Sequence, residues 1–413
     1  MQEKFKVIMD GVFTVKEKSS QRNIVTFCLA FLLSAFGYEF IFFIMTLHIY
    51  DLTENALNVS VFTVLTFLPK FFSPFYGAIA DRYQRQWVLG AAALGTAGLM
   101  FLLAFTRDIR AIYVLWFFVS IALTLIANVR SILFAEVLPS ENYHAGNSTM
   151  LILSNGARIF APLAGGTAAL IFPMEDLIYA VCLIYVAAAL ISSLIQPGLH
   201  TTVPDQTDPA GGWRAGFQYI RENASIKYLV GISLLWRLFL GLQVSLLVVY
   251  VKSSLNGNDA QYGYFITLLS VGSILGSFLG SWLIKRVGEK TIITYGLCLH
   301  YVTFAALGLT KQYYAACLVI FISFIAFYAT LVCMHTVRDR ETRSSVRGRV
   351  YGTVTALLNP PAILSMLVGG YLAERISVNW VLLSAGVLAL LSLAAVTLLM
   401  PSARTQVSPS PSS

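Results

Sequence analysis

The stretch Ile24–Tyr50, which reads IVTFCLAFLLSAFGYEFIFFIMTLHIY, decides the fold, because Glu39 is its only acidic residue and it contains no Lys or Arg. A helix needs about 20 apolar residues to cross a bilayer, and this run is longer than that. The whole chain of 413 residues has the same character, with 57% apolar residues, 12% charged residues and a mean hydropathy of +0.73. Soluble domains carry about 25% charged residues. The composition therefore excludes a soluble enzyme, a nucleic-acid-binding protein and a disordered chain.

Twelve apolar runs follow one another along the chain. They predict an all-α integral membrane protein with twelve transmembrane helices. The runs are Ile24–Tyr50, Leu57–Ala80, Trp87–Thr106, Ala111–Leu138, Gly146–Phe172, Leu177–Ile195, Lys227–Val251, Tyr262–Ile284, Thr291–Leu309, Tyr313–Thr336, Val350–Ala373 and Trp380–Met400. The five cysteines all fall inside these runs and are not clustered, so neither a disulfide framework nor a metal site is expected.

The basic residues predict the orientation of these helices. The loops on the side of both termini hold most of the Lys and Arg residues that lie outside the apolar runs. Cytoplasmic loops of membrane proteins are enriched in Lys and Arg. We therefore expect a multi-pass protein of the cytoplasmic (inner) membrane with both termini in the cytoplasm.

The composition relaxes in the middle of the chain and divides it into two bundles. The expected segments are a cytoplasmic N-terminal segment (1–23), an N-terminal six-helix bundle (24–195), a cytoplasmic linker (196–225), a C-terminal six-helix bundle (226–400) and a disordered cytoplasmic tail (401–413). Within the linker, Trp213, Phe217 and Ile220 recur at helical spacing. This spacing predicts a short helix lying at the membrane surface.

A nearly constant offset relates the two bundles. Several residues recur about 204 positions apart: Gly37 and Gly241, Asn155 and Asn359, Gly165-Gly166 and Gly369-Gly370, and, at 203, Gly77 and Gly280. Repeats of this kind are typical of transporters that rock two halves around a central site. The offset indicates a parallel duplication of a six-helix unit.

The loop after the second run reads GAIADRYQRQ, from Gly77 to Gln86. It resembles the signature G-x-x-x-D-R-x-G-R of the major facilitator superfamily. Gly77, Asp81, Arg82 and Arg85 match, and Gln84 replaces a glycine. The resemblance implies the major facilitator fold and a cytoplasmic latch whose ion pairs form and break as the halves move.

The fifth run resembles the span-5 motif of antiporters in this superfamily, G-P-x-x-G-G. Pro162, Gly165 and Gly166 match, and Ala161 stands where a glycine would be. Ordinary packing of small residues between helices explains the same pattern. Together with ENYHAGNS before the fifth run and RGRVYG before the eleventh, the motif resembles the branch of macrolide and siderophore (enterobactin-type) exporters.

Four cations lie inside the predicted spans: Lys70, Arg130, Arg158 and Arg237. Charges at membrane depth are costly and point to function. The resemblance implies that these side chains share one aqueous chamber, which would attract anions. Arginine suits recognition of carboxylate or phosphate, so we expect a substrate that carries at least one such group.

Internal ion pairs are the alternative explanation for these cations. Arg130 could pair with Glu136, six residues further along the same helix, and Lys70 could pair with Glu39. Two cations would stay uncompensated even then: Arg158 and Arg237.

Glu39 is the best candidate for a proton carrier, because a carboxylate in a low-dielectric site can load and release a proton near physiological pH. The offset of 204 places Gln243, a neutral isostere, at the equivalent position of the second half. A structural salt bridge of Glu39 is the alternative. His300 is a second candidate for the proton group, although a lone histidine in a span is more often a packing residue.

Polar neighbours are expected to complete the substrate chamber: Tyr38, Asn128, Asn155, Trp236, Gln243 and Asn359. The sequence contains no nucleotide-binding loop and no hydrolase motif, so neither enzyme activity nor ATP-driven pumping is expected, and no cofactor is required. The leading hypothesis is a monomeric secondary transporter in the lipid bilayer. It would export an anionic or zwitterionic small molecule, such as a carboxylate siderophore, driven by the proton gradient, the membrane potential or both. Multidrug or macrolide efflux and lysophospholipid transport are the alternatives.

Overall fold

The computed structural model describes residues 18–138, 143–196, 212–343 and 347–399. Most of the predicted N-terminal segment, the first part of the linker and the predicted tail lie outside these residues. The described chain is helical throughout and divides into two compact units. Unit 1 comprises Met1–His48 with Leu65–Gln206, and unit 2 comprises Ile49–Val64 with Thr207–Ser413.

The described residues of the first half of the chain form seven α-helices. They are α1 (Lys18–Thr53), α2 (Ala56–Phe67), α3 (Ser73–Arg82), α4 (Arg85–Ala104), α5 (Ile109–Val137), α6 (Tyr143–Ala168) and α7 (Met174–Ser193). The described residues of the second half also form seven α-helices. They are α8 (Gly212–Glu222), α9 (Ala224–Val249), α10 (Asp259–Val287), α11 (Glu289–Leu309), α12 (Tyr313–Glu341), α13 (Arg347–Ile376) and α14 (Val378–Leu399).

Ten of the described helices are long and apolar enough to cross a membrane. The two remaining predicted spans correspond to α6 and to the pair α2 and α3. The predicted second span is not one continuous helix, because a 3₁₀ turn at Leu68–Phe72 separates α2 from α3. Pro69 lies in that turn, and a proline ring removes a backbone donor and clashes with the preceding helical turn. Lys70 therefore stands at a helix break and not within a regular helix.

Corresponding glycines of the repeat make corresponding helix contacts within each unit. A Cβ atom added to Gly165 in α6 would lie 2.8 Å from Cδ1 of Phe43 in α1. A Cβ atom on Gly369, its repeat partner in α13, would clash with the side chain of Leu242 in α9. A Cβ atom at either position would force the neighbouring side chain to move, because that side chain occupies the space that the Cβ atom needs. The duplication therefore reproduces the packing of the fifth and first spans in that of the eleventh and seventh.

The linker contains the predicted short helix, α8, which packs against protein on at least one face. Ile220 is buried in a cluster with Val350 and Val354 of α13. The hydroxyl group of Tyr219 donates a hydrogen bond of 2.9 Å to the backbone carbonyl of Glu341. Phe217 is exposed, whereas the side chain of Trp213 lies outside the described residues. The helix is thus fixed to unit 2 through α12 and α13.

Candidate substrate and proton site

An ion pair joins α1 and α6 inside unit 1. Arg158 Nε lies 3.7 Å from Glu39 Oε1, and their side chains are 40% and 25% exposed. The prediction that Arg158 stays uncompensated is therefore wrong. Lys70 interacts electrostatically with Glu39, but its ammonium group lies over the Phe67 ring, 4.0 Å from the centroid. The ion pair of Glu39 is therefore with Arg158, and not with Lys70 as the predicted alternative had it.

Arg130 in α5 faces α1. Its Nη1 donates a hydrogen bond of 3.1 Å to Ser34 Oγ, and its guanidinium lies 4.0 Å from the centroid of the Phe31 ring. The alternative pairing of Arg130 with Glu136 is wrong. Residues six apart on an α-helix point about 240° apart around its axis, so these two side chains lie on different faces.

Glu136 instead forms an ion pair with Arg85 at the start of α4. Both side chains are largely buried, with exposures of 11% and 16%. Arg85 is one of the four predicted latch residues. The signature that predicts the latch does not include its partner Glu136. Arg82 is exposed and Gly77 lies within α3, whereas the surroundings of Gly77 and the side chain of Asp81 lie outside what the structure describes. The ion pair that the structure describes here thus ties α4 to α5 within unit 1.

His300 and Gln243 form a buried polar network in unit 2. Their Nε2 atoms are 3.1 Å apart, and His300 Nδ1 lies 2.9 Å from Ser323 Oγ. His300 is 1% exposed and Gln243 is 2% exposed. An amide Nε2 is a donor, so this geometry fits a His300 that accepts from Gln243 at Nε2 and donates to Ser323 from Nδ1. Gln243, a predicted chamber residue, and His300, a predicted proton group, are thus hydrogen-bonded to each other.

Trp236 and Arg237 occupy another part of unit 2. The Trp236 ring stacks on Phe327 with centroids 5.0 Å apart, and it is 8% exposed. Trp236 and Arg237 line a cavity of about 270 Å³, and His335 and Arg338 line the same cavity. Neither His335 nor Arg338 was predicted as a site residue. The predicted span ends at Thr336, whereas α12 continues to Glu341 and brings Arg338 to the cavity wall.

Among the other predicted site residues, Tyr38 interacts electrostatically with Glu39 and Arg158. Asn128 donates 2.8 Å to the carbonyl of Thr124, one turn back on its own helix. Tyr38, Asn155 and Asn359 are half-buried. Unit 1 holds one set of predicted site residues: Tyr38, Glu39, Lys70, Asn128, Arg130, Asn155 and Arg158. Unit 2 holds the others: Trp236, Arg237, Gln243, His300 and Asn359.

Similarity to known proteins supports a membrane transporter. Residues 26–411 match the family described as transmembrane secretion effector. An uncharacterized MFS-type transporter of Bacillus subtilis (strain 168), YfiS, is 22% identical over 388 residues, which cover 89% of this chain and 91% of that protein. A bacterial homolog of the human lysosomal transporter Spinster, solved inward-facing and unoccupied, superposes with a TM-score of 0.74 at 13% identity. That superposition covers 96% of this chain and 100% of the homolog.

Two further solved structures share the fold. The nucleoside transporter NupG has a TM-score of 0.72 at 14% identity, covering 93% of this chain and 99% of its own. A bacterial homologue of the iron transporter ferroportin, inward-facing, has a TM-score of 0.69 at 17% identity, covering 91% and 98%. The fold and these similarities define an all-helical, multi-pass membrane transporter and not an enzyme. The chain belongs to the transmembrane secretion effector family of the major facilitator superfamily.

Proposed function

We propose that the protein is a proton-coupled exporter of an anionic or zwitterionic small molecule, such as a carboxylate siderophore, and works by alternating access in the inner membrane with both termini in the cytoplasm. The Glu39–Arg158 pair carries this proposal. It places opposite charges 3.7 Å apart inside a membrane bundle, and both side chains keep part of their surface exposed. An intramembrane pair of this kind is a functional hypothesis by default.

The pair favours a zwitterion over a simple anion. An ammonium group on the substrate would compete with a proton for the Glu39 carboxylate, while a substrate carboxylate would bind Arg158. Proton and substrate would then exclude each other, which is the requirement for antiport. A simple anion on Arg158 would instead bind best when Glu39 is protonated, because the competing carboxylate charge is then removed. That cooperation would couple the proton and the anion in the same direction.

Two alternative substrates remain in view. A macrolide or another cationic drug would use Glu39 alone, leaving Arg158 uncompensated when the drug is bound. A lysophospholipid would bring a phosphate that Arg158 can bind through charge-assisted hydrogen bonds. The similar solved structures are those of a homolog of the lysosomal transporter Spinster, a nucleoside transporter and a homologue of an iron transporter, so the shared fold does not distinguish among these substrates.

Proton movement in sealed proteoliposomes tests the proposal. With an imposed pH gradient and a pH-sensitive dye inside, we expect a zwitterionic amino-carboxylate siderophore to dissipate the gradient through the parent protein. Glu39→Gln should abolish the coupled proton flux while counterflow of the labelled siderophore continues. Arg158→Gln should lower both, and Arg107→Gln should lower neither, since Arg107 belongs to an exposed pair with Glu175. Full proton coupling in Glu39→Gln, or gradient dissipation by macrolides alone, would contradict the proposal.

A further inference from the structure

Unit 2 contains a cavity of about 270 Å³ between α9, α12 and α13. Three of its lining residues are basic: Arg237 from α9, and His335 and Arg338 from α12. The share of a water molecule in the liquid is about 30 Å³, so the cavity has room for a small ionised group. The remaining wall combines apolar side chains such as Leu229 with the hydroxyl-bearing residues Ser233 and Thr355.

Donor groups at this cavity lack acceptors. Trp236 Nε1, Arg237 Nε and Arg338 Nε are buried, and none has a hydrogen-bond partner within the described part of the chain. Trp236 is 8% exposed, so water reaches little of it. Buried donors in folded proteins are almost always bonded. Three of the residues that line the cavity therefore carry a donor that the described protein groups leave unsatisfied.

Carboxylates balance little of this positive charge. Arg338 Nε lies 3.6 Å from Asp339 Oδ1, and the Asp339 side chain is 52% exposed. Asp339 also accepts a hydrogen bond from the Tyr351 hydroxyl group. Arg237, Arg338 and Asp339 all interact electrostatically with His335. Asp339 is therefore shared between Arg338 and Tyr351, and His335 adds a further cation when it is protonated.

We propose that this cavity binds an oxyanion group of the substrate, either a carboxylate or a phosphate. The indole N–H of Trp236 and the guanidinium N–H groups of Arg237 and Arg338 would donate to its oxygens. His335 would supply a further donor. Hydrogen bonds between a cationic donor and an anionic acceptor are the strongest class available to a protein side chain. The proposal rests on the proposed function in that it assigns the anionic part of the substrate to a place in unit 2.

Trp236 provides a direct readout through its fluorescence. In the full-length protein in detergent, the difference between the parent and its Trp236→Phe variant isolates the signal of this one tryptophan. Iodide is an anionic quencher and acrylamide is a neutral one. Arg237→Gln should lower iodide quenching of Trp236 by about two- to five-fold, as expected from removing one charge beside the quencher, and leave acrylamide quenching unchanged.

The matched control is Arg286→Gln. The Arg237 guanidinium lies over the Trp236 ring, 4.7 Å from its centroid. The Arg286 guanidinium likewise lies over Trp282 of unit 2, 4.1 Å from the ring centroid, but Arg286 does not line the cavity. This substitution removes the same charge and should leave iodide quenching of Trp236 unchanged. If Arg237→Gln fails to give a monodisperse protein, Arg338→Gln provides the same test, because it also removes one guanidinium charge from the cavity wall.

Competition at constant ionic strength identifies the source of the oxyanion. Inorganic phosphate or citrate should protect Trp236 from iodide if the group belongs to a soluble compound, and lysophosphatidic acid should do so if it belongs to a lipid headgroup. Iodide quenching that stays the same in both arginine variants would overturn the inference. So would an equal fall with acrylamide, because that would report access and not charge.

The failure of this inference and the failure of the proposed function give different results. Oxyanion-dependent protection that Arg237→Gln abolishes, together with no proton-coupled flux in vesicles, would keep the cavity and reject the coupled exporter. Coupled flux that persists unchanged in Arg237→Gln, without any protection by oxyanions, would keep the exporter and reject the cavity.

Discussion

The Glu39–Arg158 pair should couple energetically far more strongly than an exposed pair of the same geometry. We compare two double-mutant cycles in unit 1, one with Glu39→Gln and Arg158→Gln and the other with Glu175→Gln and Arg107→Gln. The two ion pairs have nearly equal separations, 3.7 Å and 3.6 Å. Their side chains differ in exposure, at 25% and 40% for the first pair against 38% and 85% for the second.

Because the distances match, the difference between the cycles reports the surroundings of each pair. Two unit charges about 4 Å apart interact by about 4 kcal/mol at an effective dielectric constant of 20, and by about 1 kcal/mol in water. Glu39 and Arg158 are partly solvated, so we expect a coupling of about 1–3 kcal/mol. The exposed Arg107–Glu175 pair should give less than about 1 kcal/mol, the range of surface salt bridges.

Reversible unfolding in mixed micelles with a rising fraction of dodecyl sulfate, followed by circular dichroism, measures these couplings. The cycle removes the effects of each single substitution on solvation and packing. A Glu39–Arg158 coupling no larger than that of the control pair would refute the reasoning, because the bundle would then be screening the pair as water does. The Glu39–Arg158 pair would in that case carry no special role in the proposed mechanism.

Two further predictions concern packing and the buried network. Gly165→Ala should destabilise the protein by about 1–3 kcal/mol, because its new Cβ atom would clash with the buried Phe43 ring. The control is Gly95→Ala, whose Cβ atom would meet nothing within 4 Å and which should leave the melting temperature unchanged or raise it. Equal shifts in both variants would contradict the packing argument. His300→Leu should lower the free energy of unfolding by about 1–3 kcal/mol, because it leaves the Gln243 amide without its buried partner. Adding Gln243→Leu should recover most of this stability in the same melting assay. No recovery would show that the loss comes from packing alone.

The helices were the most predictable part of the molecule. Helix α7 and the predicted run Leu177–Ile195, for example, differ by a few residues at each end. The apolar runs predicted these positions because a bilayer fixes both the length and the composition of a spanning helix. The break at Pro69 was visible in the sequence, but a measure of apolar content does not register it, since proline removes a hydrogen bond without adding a charge.

The site was less predictable, because its contacts join distant positions of the chain. No spacing rule brings Glu39 to Arg158, which lies five helices further on. The Arg130–Glu136 alternative could have been excluded by helix geometry alone. The sequence places Arg338 in a cytoplasmic loop, because the predicted span ends at Thr336, before the last turn of α12. Its contribution to a cavity depends on where that helix ends, which is the least certain feature of any such prediction.

The internal repeat separates the residues that build the fold from those that carry the proposed chemistry. At the glycines the offset of 204 preserves helix contacts, as at Gly165 and Gly369. At the charges it preserves nothing: the repeat partner of Arg158 is Ala362, and the partner of Arg237 is Leu33. A duplicated backbone needs the same small residues twice, because both copies pack in the same way. Packing does not explain a charge that occurs inside a span of one half only. The charged positions at which the two halves differ are therefore the ones to test first.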